Sequence, residues 1–142
     1  MNAPLMGIKR PARYLAAQID HLLSIGCAVA TGAAAGEFVT HKSSDAFEGM
    51  LALSVPIVFL LYFFVFEWLV GATPGKLISG LRVRKLDGSR CGARSAFIRT
   101  VFRLFEANPL LLGGLPAAVI ISASKSGQRV GDRIAGTVVV VA

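Results

Sequence analysis

The chain has 142 residues, 54% of them hydrophobic and 16% charged, with a net charge of +7 and a mean hydropathy of +0.65. A soluble domain carries about 25% charged residues, so this balance argues against an ordinary soluble fold and for a single integral membrane domain. Two cysteines and two histidines are poor material for a disulfide framework or a zinc site, and neither a metal nor an organic cofactor is expected.

Residues 1–10 are a short basic lead, and Pro11 suits the first turn of a helix. The run from 12 to 36, ARYLAAQIDHLLSIGCAVATGAAAG, reads as a first span: a helix of that length covers roughly 36 Å and crosses a bilayer with some tilt. It is too long for the apolar core of a signal peptide, and Asp20 and His21 interrupt it, so it is expected to stay in the protein. The segment EFVTHKSSDAFEGM sets Glu37, Asp45 and Glu48 against Lys42 alone, as an outside loop does. Residues 51–71, LALSVPIVFLLYFFVFEWLVG, form a second span with Trp68 near its end, Pro56 as a kink, and Pro74–Gly75 as a stop.

Lys76, Arg82, Arg84, Lys85, Arg90 and Arg94 make residues 72–94 the most basic stretch, hence cytoplasmic, with the N-terminus on the same side. The same clustering beside apolar runs explains the net charge without nucleic acid, for which no base-reading motif is present. Within this stretch GLRVRKLDG alternates and then meets Asp-Gly, the pattern of a short strand closing in a turn. TVVVVA is the other β-branched run, and the two are expected to pair.

In residues 95–107, SAFIRTVFRLFEA, one helical face carries Ser95, Arg99, Arg103 and Glu106 and the other Phe97, Ile98, Val101, Leu104 and Phe105. That is the pattern of an interfacial helix, or of one whose charged face meets water. The apolar run from Pro109 to Ser124 covers only about 24 Å, and Pro116 and Gly113–Gly114 weaken it. A basic tail follows it. A bent hairpin over 95–124, broken at Asn108–Pro109, keeps both basic flanks inside and is favoured over a third span. No internal repeat is apparent. The expected fold is an all-α membrane protein: two transmembrane helices, an amphipathic or bent helical hairpin, and a small cytoplasmic β element.

Asp20 is the residue that demands explanation. Arg13, Ala17, Asp20, Ser24, Cys27 and Thr31 fall along one line of the first span, a polar-and-small seam for other helices or a wet cavity. An ionised Asp at mid-helix costs roughly 2.5–3.5 kcal/mol on insertion scales. It therefore calls for a partner, with Arg99 or Arg103 as candidates and Glu106 on the same helical face, or for a bound cation. A buried ion pair that fixes register is the equal alternative. Glu67, one turn inside the second span, is expected to snorkel to the interface; if it faces Asp20, the two would make a cation or proton site. Arg82 and Arg84 are candidates for anionic headgroups or a partner.

The motifs RPARYLAAQIDHLL, TPGKLISGLRVRKLDG and GQRVGDRIAGTVVV, in that order, resemble the RDD family of small bacterial membrane proteins, named for one arginine and two aspartates. The resemblance implies that Arg13, Asp20 and Asp132 are that triad, with Arg13 and Asp132 locking helix and tail. It also implies a bacterial inner-membrane location and an unsettled function. Two readings stay open. One is a small cation- or proton-coupled transporter using Asp20, with Glu67 auxiliary; the other is a non-catalytic scaffold or accessory subunit clamped by the triad. Two spans are few for a solitary pathway, so a homo-oligomer or larger membrane complex is expected. No nucleophile–base pair or phosphate loop supports an enzyme.

Overall fold

A computed structural model describes residues 10–39, 44–106, 115–124 and 127–142. Two long helices, α1 (Arg10–Val39) and α2 (Ser44–Leu69), are followed by a short α3 (Pro74–Ile78) and strand β1 (Leu81–Lys85). Then come α4 (Ala93–Glu106), α5 (Leu115–Ala123), a short α6 (Val130–Ile134) and strand β2 (Thr137–Val141). Among the described residues, α1 and α2 are the two helices long and apolar enough to cross a membrane. Leu, Ile, Val and Trp side chains stand exposed along both, among them Leu22, Val29, Leu53, Ile57, Leu61 and Trp68. Such a surface has its natural solvent in lipid rather than water.

α1 starts where Pro11 fits the first turn and approaches α2 through small residues. Ser24, Ala28 and Gly32 recur every four positions and are buried. Ser54 of α2 donates its hydroxyl to the Ala28 carbonyl at 3.2 Å, and a Cβ on Gly32 would lie 2.7 Å from Leu51 Cδ2. Close backbone approach of this kind is how helices associate without a hydrophobic driving force. The polar seam read from the sequence therefore needs a correction in its outer half. Cys27 and Thr31 are exposed, and Thr31 satisfies its hydroxyl on the Cys27 carbonyl at 2.7 Å.

The expected strand pairing is present. β1 and β2 form an antiparallel two-stranded sheet with Leu81 opposite Val141 and Lys85 opposite Thr137. Leu81, Val83 and Val139 pack with Ala16, Cys91 and Ala96, against Ala12 and Phe64, so the sheet plugs the foot of the α1–α2 pair.

A repeat that the sequence reading missed lies in this region. Each strand is preceded by a five-residue helix and a two-residue link that ends in glycine: α3, Ser79–Gly80, β1, and α6, Ala135–Gly136, β2. Gly80 and Gly136 have φ of 65° and 62°, left-handed turns that an L side chain resists. The shared pattern is GKLISG against GDRIAG. Four identities in twelve residues, in segments more than fifty positions apart, fall below what the eye separates from chance.

α4 inverts the expectation made for it. Its polar face is the buried one: Ser95, Arg99, Thr100, Arg103 and Glu106 point inward, while Phe97 and Phe105 are exposed. In water that arrangement would be costly, but beside hydrocarbon the phenyl rings face the favourable solvent and the charges need protein partners. The chain break expected at Asn108–Pro109 falls outside the described residues.

Candidate functional site: a buried charge network

Five elements bring their charged side chains to one place between α1, α4 and the sheet. Arg13 of α1 donates through Nη2 to Asp132 Oδ2 at 3.0 Å, and through Nη1 to the Gly127 carbonyl. Arg99 of α4 binds both acidic centres: Nη1 donates to Asp132 Oδ1, and Nε donates to Glu67 Oε2 at 2.7 Å. Glu67 of α2 also accepts from Arg103 Nη2 at 2.7 Å and from Lys76 Nζ. The result is a continuous chain of ion pairs, Arg13–Asp132–Arg99–Glu67, closed by Arg103 and Lys76.

Asp132 sits where it does because α6 needs an acceptor at its third position. Its carboxylate takes the Arg129 backbone N–H at 3.2 Å, the reciprocal half of a capping box. Thr137 donates its hydroxyl to the Asp132 carbonyl at 3.3 Å and accepts from Arg99 Nη1 at 2.7 Å, which pins the start of β2 to the same centre. Burial alone would raise the Asp132 pKa; Arg99, Arg129 and Arg13 overcome it and hold the group well below the usual carboxylate range. For Lys76 burial wins. Despite Glu67, desolvation together with the neighbouring Arg103 and Arg99 pushes its ammonium down to about 7.

Asp20 belongs to a different set of contacts. Tyr62 donates to its Oδ1 at 3.1 Å, the Gly75 N–H donates to the same oxygen at 2.7 Å, and the Thr73 hydroxyl donates to Oδ2. Thr73 holds the N-cap position of α3 with its side chain turned away from that helix. Asp20 supplies the missing cap from α1, with its negative charge on the positive end of α3. Gly75 has no Cβ because there is no room: one would meet the Ala16 carbonyl and lie 2.8 Å from the Asp20 carboxylate. The second half of the repeat does the same. Gly131 donates its N–H to Glu106 Oε1 at 3.0 Å, and its Cβ position is 2.7 Å from Phe102 Cβ.

Several sequence expectations are corrected here. Arg99 and Arg103 do not hydrogen-bond Asp20; they bind Glu67, and Arg99 also Asp132. Glu106 caps Gly131 rather than joining Asp20. Glu67 does not snorkel: it is fully buried among three cations. Asp20 and Glu67 take separate donors and do not share a cation between them. Arg82 and Arg84 are half-exposed on β1 and stand outside the network. The residues missed were Lys76, Arg129, Tyr62 and Thr73. Lys76 and Thr73 stand in TPGK, where the sequence shows a stop to the second span and a basic stretch but not the carboxylates that these side chains meet.

The model of the RDD family matches residues 10–136, and so takes in both carboxylate sites, the first helix–glycine–strand unit and the second as far as Gly136. The chain belongs to the RDD family. Membership together with two apolar helices points to a membrane protein. Searches of curated proteins and of solved structures returned no match. In this RDD protein Arg13 and Asp132 are directly paired, while Asp20 is satisfied by neutral donors. Among the described residues no cluster of His, Cys, Asp or Glu is arranged to hold a metal ion.

Proposed function

We propose that this RDD protein is a non-catalytic multi-pass membrane scaffold or accessory subunit, and that its Arg13, Asp20 and Asp132 are a structural clamp. One observation carries the reading: both carboxylate oxygens of Asp132 and of Glu67 are taken by protein cations. A transport site needs a carboxylate that exchanges its partner. Breaking a buried pair of this kind costs about 3–5 kcal/mol, too much for a cycle that has to open it repeatedly. Asp20 is better placed for an ion, because it faces a cavity. That cavity also presents Arg13, Lys76, Arg103 and Arg129, a positive wall that repels a cation.

The orientation that fits the basic segment 72–94 puts it and the N-terminus in the cytoplasm of a bacterial inner membrane. The exposed apolar faces of α1 and α2 then meet lipid, other copies of the chain or a larger complex, and Arg82 and Arg84 meet anionic headgroups or a partner.

Reconstitution into vesicles tests the reading. The parent is expected to show no Na⁺ or H⁺ flux above empty vesicles, while Arg13→Gln and Asp132→Asn lower yield and melting temperature. Gradient-driven flux in the parent, abolished by Asp20→Asn at unchanged melting temperature, would overturn it in favour of a transporter.

A further inference from the structure

The ion-pair network does not use all of its positive charge. Among the described residues the buried charged side chains are five basic, Arg13, Lys76, Arg99, Arg103 and Arg129, and four acidic, Asp20, Glu67, Glu106 and Asp132. The imbalance is concentrated on one surface. A cavity of about 100 Å³ is walled by Arg13, Lys76, Arg103 and Arg129 with Asp20 as its single acidic group. Asp20 is already satisfied by three donors. Arg129 has only a long 3.4 Å contact from its guanidinium to Asp132. Arg103 is 3% exposed, yet its Nε–H has no hydrogen-bond partner. A buried, unpaired donor on a cation costs more than a neutral one. Here it belongs to a side chain that lines the cavity.

We propose that this cavity binds a phosphate group, held by Arg129 and Arg103 with Lys76 and Arg13 behind them. Guanidinium forks match tetrahedral oxyanions in geometry as well as charge. The volume has room for one such group. The other walls are apolar: Ala16 and Ala17 of α1, Ala117, Ala118 and Ile121 of α5, and Leu81 and Val139 of the sheet. The same chemistry is offered by free phosphate and by the phosphodiester of a membrane lipid, whose glycerol and acyl carbons would lie along α5.

The inference is independent of the clamp reading, because a ligand is measured here and stability there. The full chain in detergent is titrated with inorganic phosphate at constant ionic strength, and binding is followed by calorimetry. In a second arm, phospholipid retained after detergent exchange is counted by native mass spectrometry. Two variants interrogate the cavity. Arg129→Gln removes a first contact, and Ala118→Leu fills space without touching any charge. Saturable phosphate binding weakened at least tenfold by both variants assigns the free anion. One retained phospholipid per chain, lost in both variants, assigns the lipid. Should either variant fail to fold, the other decides alone. If neither ligand binds the parent, or if binding is the same in the parent and in a folded variant, the proposal is wrong.

Discussion

Removing the Asp132 carboxylate takes an ion-pair partner from three guanidinium groups at once, those of Arg13, Arg99 and Arg129. Asp132→Ala is therefore expected to cost about 3–5 kcal/mol, read as a fall in melting temperature in detergent. Glu106→Gln keeps an oxygen for the Gly131 N–H and is expected to cost only about 1 kcal/mol; equal losses in the two variants would contradict the network. Lys76 gives the molecule a pH dependence of definite sign. Glu67 of α2, Arg99 and Arg103 of α4, and Arg129 ahead of α6 act on it, while Arg13 and Asp20 of α1 line the same cavity. Its pKa is about 7 when folded against 10.5 for the free side chain. Between those values the unfolded chain binds more protons, so stability rises with pH across the interval and the penalty is complete below about 7. The melting temperature should be higher at pH 9 than at pH 6.5, and Lys76→Met should flatten that difference. Any phosphate affinity of the cavity should fall over the same range as the ammonium loses its charge. At this scale the sequence marked Asp20 as anomalous but not its partners, which lie 42 to 55 residues away. Only packing brings them together.

Both short helices are set down on their supports through glycine. Gly75→Ala forces a methyl against the Ala16 carbonyl and the Asp20 carboxylate, and Gly131→Ala forces one against Phe102. Each is expected to cost about 1–3 kcal/mol. Gly75 should be the worse of the two, because a helix backbone yields less than a side chain. Comparing the unfolding midpoints of the two variants checks the order. Elements differed in how readably they were written. α1 and α2 followed from hydropathy and length, which need no partner to interpret, β1 from its alternation ahead of Asp-Gly, and β2 from its β-branched run. The periodicity of α4 was equally plain, but a period gives two faces without saying which is inside. That depends on the solvent, and with lipid outside the phenylalanines turn outward. α3 and α6 have five residues each, too short for any period to show.

The sheet that closes the foot of the α1–α2 pair joins two strands more than fifty residues apart in the chain. Deleting residues 137–142 removes the partner of β1, leaves Leu81 and Val83 uncovered, and takes away the Thr137 hydroxyl that Arg99 and Asp132 share. The truncated protein is expected to be lost from membranes, judged by quantitative blotting against the parent. If it accumulates to parental levels with its melting temperature intact, the sheet is no part of the core. One bond carries a consequence in time. Arg13 and Asp132 are separated by 119 residues, and at ribosomal rates that interval is roughly 6–24 s. Throughout it the Arg13 guanidinium waits for its carboxylate. The half-made protein thus carries a guanidinium whose carboxylate has not yet been made, a mark of an unfinished chain that disappears when Asp132 reaches Arg13.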